Sequence, residues 1–192
     1  MNAILDSPAM IQSFRERAEA VGARVERAAS KKSALEFVVR VLRNEGVNPG
    51  PDSGAVWAAS PILDASDMST LESSVPGLTF KVTRERAACA KVGISQMDWA
   101  LANTGTMVQS ADEVDKRLVS TLPPLHIALV STAALLPDLP AVLSRVDPRK
   151  SSYLSLITGP SRTADIERVL TIGVHGPERL IVVLIDDVEV AE

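Results

Sequence analysis

Residues 180–185 read Leu-Ile-Val-Val-Leu-Ile, six aliphatic side chains in succession with Arg179 before them and Asp186-Asp187 after. Such a run is too short for an ordinary helix and far short of a bilayer span, so it reads as a buried strand. Similar short apolar stretches recur at 55–59, 78–82, 118–122, 126–131 and 153–158. Between them lie helical signals. Residues 13–43 place Phe14, Ala18, Val21, Val25, Leu35, Val38, Val39 and Leu42 at helical spacing, which predicts one or two amphipathic helices broken near Gly22 or Ser30. Shorter helices are expected within 61–75, 85–91, 135–146 and 161–169. Pro137 sits near the start of the third, and the loop 46–54 carries two prolines. Asn103-Thr104-Gly105-Thr106, flanked by 99–102 and 107–109, predicts a tight turn or hairpin. Strands alternating with helices give an α/β fold, a mostly parallel or mixed sheet flanked by helices. The expected organisation is one domain, with 1–50 as an N-terminal helical segment packed on an α/β unit of 51–192.

The strongest local chemistry is Thr158-Gly159-Pro160-Ser161-Arg162-Thr163, followed by Asp165, Glu167 and then Gly173-Val174-His175-Gly176-Pro177. An apolar run ends, a Gly-Pro turn breaks it, and a hydroxyl-rich segment is expected to open a helix. Free N–H groups at such a junction can donate to an anion, and Arg162 adds a donor fork suited to carboxylate or phosphate. The competing reading is a plain helix cap by Ser161 or Thr163, with Asp165 and Glu167 offsetting the helix dipole. In open α/β sheets ligands gather outside the carboxyl ends of strands, and 158–163 is expected at such an end.

Composition narrows the classes. A net charge of -4 with scattered basic residues gives no nucleic-acid footprint, and 3% aromatics cannot build a base-stacking surface. With one cysteine, Cys89, and two histidines, His126 and His175, no disulfide forms within the chain and no cysteine-based metal or iron–sulfur site is expected. No Walker loop, Gly-x-Gly-x-x-Gly or Gly-x-Ser-x-Gly elbow is present. Residues 1–10 lack the charged start and apolar middle of a signal peptide, so a cytoplasmic protein without a membrane span is expected.

Three blocks resemble a known family. They are Ala102-Asn103-Thr104-Gly105-Thr106, the run from Arg117 to His126, and the run from Leu156 to Glu167 with its Gly173–Pro177 sequel. Their order and spacing resemble the lactate-utilization protein C family, also called the LUD domain, over roughly residues 80 to 186. The resemblance implies a fold akin to the sugar-phosphate isomerase and CoA-transferase group. It also implies a part in oxidising L-lactate to pyruvate beside iron–sulfur partner proteins, with no cofactor in this chain. One departure stands out: family members commonly carry Glu where this chain has Asn103. A carboxylate there could serve as nucleophile or base, whereas Asn103 can only exchange hydrogen bonds.

The expected function is therefore an accessory component of L-lactate oxidation that binds a small anionic ligand, carboxylate or phosphate. Gly159, Ser161, Arg162, Thr163, His175, Asn103, Thr104 and Thr106 are the candidate contacts. The alternatives are a stand-alone isomerase- or transferase-like enzyme and a structural partner of iron–sulfur subunits. His126 reads as a core or strand-edge histidine with a catalytic role as the alternative; His175, in a turn, is either turn-stabilising or ligand-facing. Arg117 reads as surface, Trp57 and Trp99 as core, and Cys89 as buried and inert.

Overall fold

The computed structural model describes residues 7–147, 149–164, 170–172 and 175–188. Six parallel strands form its centre, ordered β1 (Arg24–Ala28), β12 (Arg179–Ile185), β7 (Leu125–Ser131), β4 (Ala90–Gln96), β2 (Gly54–Trp57) and β3 (Leu78–Thr79). The aliphatic run at 180–185 sits one place in from the β1 edge, between β1 and β7. It is buried on both faces because odd and even residues face different cores. Ile181, Val183 and Ile185 meet α2 (Lys31–Asn44) and α3 (Ala65–Ser74). Leu180, Val182 and Leu184 meet Phe14 and Ala18 of α1 (Ser7–Ala20).

The second face is shared. Beside α1 lies a smaller sheet ordered β8 (Leu135–Leu136), β5 (Trp99–Leu101), β6 (Thr106–Ser110) and β9 (Leu154–Ile157). The β5–β6 hairpin expected around Asn103 is present and antiparallel. Next to it, α4 (Arg84–Ala88) and α5 (Val114–Thr121) cover β2 and β4 through Val56, Ala87, Ala90 and Val119. Helix α5 lies so close that a Cβ on Gly93 would fall 1.9 Å from the Val119 carbonyl oxygen. A glycine is therefore required there. The short α6 (Leu139–Leu143) and the hairpin of β10 (Arg162–Ala164) with β11 (Leu170–Ile172) complete the elements.

The α/β class and the mostly parallel sheet are as expected; several local assignments are not. Residues 24–28 form a strand, so the first fifty residues contribute an edge of the main sheet. Gly22, at φ +92, ends the first helix, after which Ala23 and Val25 turn to one face of the sheet and Ala28 to the other. Of residues 118–122, 118–121 belong to a helix, not a strand, with Leu122 as its C-cap: one flank of α5, Val119 with Ser120, is buried and Pro123-Pro124 follows its end. The helix expected over 135–146 is a two-residue strand and a five-residue helix. Pro137 holds Leu136 extended, and Asp138 Oδ1 caps the helix from Ala141 N at 3.0 Å. The helix expected from Ser161 is replaced by β10. Ser161 N donates to Pro177 O at 2.8 Å, and the backbone of 162–164 pairs with β11. Residues 165–169 lie outside the described residues.

Cys89 is exposed at the end of α4, contrary to the buried reading, because only Ala87 and Ala90 on either side turn inward. Trp57 is fully buried, while Trp99 is half-buried. Among the described residues no helix is long and apolar enough to cross a membrane. No group of three or more His, Cys, Asp or Glu side chains among them is placed to hold a metal ion.

Candidate functional site

Because all six central strands run the same way, Gln96 of β4 and Ser131 of β7 end on one edge of the sheet. A cleft of about 490 Å³ opens there, between that edge and the smaller sheet. Its floor is built by backbone pairing. Met97 N donates to Leu129 O at 2.7 Å, which carries the chain past the end of β4 and aims Asp98 into the cleft. Asp98 N donates to Val108 O at 3.0 Å, and Asp98 Oδ2 accepts from Ser110 N at 2.6 Å. Gln109 Nε2 donates to Gln96 O at 2.7 Å, while Gln96 Oε1 accepts from Ile62 N at 2.9 Å. The floor is thus a set of polar groups fixed on strand ends, the kind of scaffold that can position a ligand.

The walls carry charge. Burial pushes the Asp98 carboxyl above the usual range, against the lowering pull of the Ser110 N–H and of Lys116. Lys116 Nζ donates to Ser110 O at 3.2 Å. Across the opening, the segment after α6 brings Arg145, Asp147 and Lys150 to the cleft. Asp147 is occupied by Arg149 through two contacts of 3.0 Å, which hold its carboxyl below the usual range. Arg145 and Lys150 make no side-chain hydrogen bond or ion pair among the described residues. Two cations on one wall, and hydroxyls of Ser110 and Ser151 joined at 3.1 Å beside them, suit a small anion.

The eight residues expected at the site lie elsewhere. Asn103 and Thr104 are exposed in the β5–β6 turn, and Thr106 is buried with its hydroxyl 2.7 Å from that of Thr158. The turn packs on α1: Gly105, at φ +67, would place a Cβ 2.3 Å from Ala18 N. Gly159 lies against Val21, and Arg162 donates from Nη2 to Val21 O at 2.6 Å. Ser161 contacts Gly176, beside exposed His175. Thr163 pairs with Thr171 in the small hairpin, and Gly173 with Val174 falls outside the described residues. Val21 and Gly22 lead into Arg24, and Pro177 precedes Arg179, so this cluster sits at the amino edge of the sheet. The expected carboxyl-edge location is corrected, and none of the eight lines the cleft. Arg162 is a clamp between the small hairpin and the turn after α1.

His126 is fully buried, as its core reading required. Its Nε2 lies 2.9 Å from Ser95 Oγ, and burial lowers its pKa to about 4. Arg117 is not simply solvated. It donates to Ala111 O and, at 3.0 Å, to Asp112 O, and stacks 4.8 Å over Tyr153. The cleft residues Asp98, Arg145 and Lys150 escaped sequence reasoning. Asp98 left one trace, a lone acid between Met97 and Trp99 at the end of an apolar run.

The fold is that of an open, mostly parallel α/β protein, with a small-molecule-sized hollow outside the carboxyl ends of its strands. The chain matches the LUD domain over residues 11–185 and belongs to that family. It is 38% identical over 113 residues to lactate utilization protein C of an Exiguobacterium species, covering 56% of this chain and 49% of that protein. To the protein of the same name in a Geobacillus species it is 30% identical over 156 residues, 78% of this chain and 57% of the other. The chain spans about half the length of the curated relatives it matches. A solved structure of a DUF162 family protein from Deinococcus radiodurans shares the fold, with a TM-score of 0.63 at 16% identity, over 94% of this chain and 99% of that one.

Proposed function

We propose that the protein serves lactate utilization, as a component without iron–sulfur chemistry of its own in the oxidation of L-lactate to pyruvate, and that it holds a small carboxylate in the carboxyl-edge cleft. The observation that carries this reading is the pairing of a 490 Å³ hollow with two cationic side chains, Arg145 and Lys150, that have no partner among the described residues. The relatives' name, lactate utilization protein C, supports the lactate part of this reading. Iron–sulfur proteins are the expected partners. Arg162 is less suited to the ligand than sequence suggested, because its guanidinium already donates to Val21 O and residues 162–164 form a strand.

Calorimetric titration of the protein with lactate, pyruvate and a sugar phosphate tests the reading. A charge-assisted hydrogen bond contributes about 1.5–3 kcal/mol, so Arg145→Ala or Lys150→Ala should weaken carboxylate binding roughly ten- to a hundredfold. Arg162→Ala should leave it unchanged. The reverse pattern would move the ligand to the amino-edge turn.

A further inference from the structure

We propose that Asp98 is a proton-holding contact for the ligand of this cleft, so that a small carboxylate binds together with a proton. The inference rests on the cleft being the carboxylate site. Its basis is the way the two oxygens of one carboxyl group are used. Oδ2 accepts from Ser110 N at 2.6 Å, whereas Oδ1 has no hydrogen-bond partner among the described residues. Asp98 is half-buried and lines the cleft that also receives Arg145 and Lys150. An ionised carboxylate there would repel the very anion those cations attract. A protonated one keeps its acceptor role toward Ser110 N–H through Oδ2 and offers one O–H from Oδ1 to an oxygen of the ligand.

The surroundings decide when the proton is held. From the strand end itself come Gln96, Met97 and Trp99, none of them charged. From β6 and the turn after it come the Ser110 N–H and Asp112, whose carboxyl is held below the usual range by Ser152 N and Tyr153 N at 2.7 and 3.1 Å. From α5 comes Lys116, which favours the ionised form of Asp98. The segment after α6 contributes Arg145, Lys150 and the Arg149-paired Asp147. Desolvation of Asp98 opposes the pull of Lys116 and raises its pKa. An arriving carboxylate neutralises the nearby cations and adds a like charge, and both effects raise that pKa further. Binding therefore draws a proton onto Asp98. Affinity is highest at low pH and falls by up to tenfold per pH unit between the pKa values of the free and liganded states. Above the higher one it levels off.

The experiment is calorimetry with pyruvate and with lactate across about pH 5 to 8, in buffers of different ionisation heat so that proton uptake is read directly. The wild-type protein should take up a fraction of a proton, up to one, per ligand. Asp98→Asn, a neutral isostere of the protonated acid, should show no uptake, a flat pH profile and affinity at least equal to wild type at the upper end of the range. A carboxylic-acid infrared band that strengthens on ligand addition and is missing from Asp98→Asn gives a second measure. The proposal is overturned if wild-type binding is flat with pH and takes up no proton while Arg145→Ala still weakens it; the cleft reading then survives alone. It is equally overturned if Asp98→Asn keeps the wild-type profile. Absence of carboxylate binding at every pH removes the cleft reading and the proposal with it.

Discussion

Mild acid should destabilise this protein through a single residue, His126. His126 stands on β7 beneath the second face of the sheet, has no exposed surface, and meets only Ser95 Oγ as a hydrogen-bond partner. Its Nδ1 has no partner among the described residues. Burial lowers its pKa to about 4, whereas in the unfolded chain it takes a value near 6.5. Between those values the unfolded state binds the proton and the folded state does not, so stability falls as pH drops through about 6.5 and stops falling near 4. At about 1.4 kcal/mol per unit, moving from about pH 7.5 to about pH 5 costs roughly 2 kcal/mol, and the full loss approaches about 3.4 kcal/mol. For a chain of this size, about 2 kcal/mol lowers the melting temperature by roughly 4–8 °C. Urea denaturation followed by circular dichroism at several pH values measures it. The carboxylates held below their usual range, Glu45, Asp67, Glu85, Asp112 and Asp147, lose their contribution at or below the ordinary carboxylate pKa, beneath the span from about pH 7.5 to about pH 5. Asp98 acts with the opposite sign, since its raised pKa lets the folded state gain as pH falls. The contrast with His126→Gln isolates the effect: the variant is less stable at neutral pH, but its stability should change far less down to about pH 5. If the two slopes coincide, or if NMR shows the folded His126 ring titrating near 6.5, the reasoning fails.

Two further outcomes follow from packing. Gly93→Ala should cost several kcal/mol, at the upper end of single-residue effects, because the added methyl meets the Val119 carbonyl and α5 must move off β4; a denaturation midpoint close to wild type would refute that close approach. Arg162→Ala should lower stability by about 1 kcal/mol through loss of its bond to Val21 O, seen as earlier exchange of amides in the turn after α1 and not as weaker ligand binding.

What the sequence made legible were elements whose chemistry is local. Strands β7 and β12 are continuous apolar runs, and the Thr-Gly-Thr turn needs a positive φ that glycine supplies. Strand β1 was hidden because Val21 and Val25, four apart, fit a helix face as well as the alternation of an edge strand. At 162–164 propensity and Gly-Pro punctuation favoured a helix start, but pairing with β11 and the Pro177 carbonyl decided the backbone. The family motifs were visible, but residues 158–163, expected at the carboxyl edge of the main sheet, lie at its amino edge. Their glycines and Arg162 hold loops against α1, a demand of packing that looks in sequence like a demand of binding. The cleft itself was illegible since Asp98, Arg145 and Lys150 meet only after the two sheets stack.

Strand β12 takes its place between β1 and β7, with Arg24 matched to Ile181 across most of the chain. During synthesis, β1 emerges early and finds no neighbour, and β7 presents a bare apolar flank, until residues beyond 185 have left the ribosome. Sheet closure is therefore a non-local event that waits on the last strand, and topology of that kind slows folding in general.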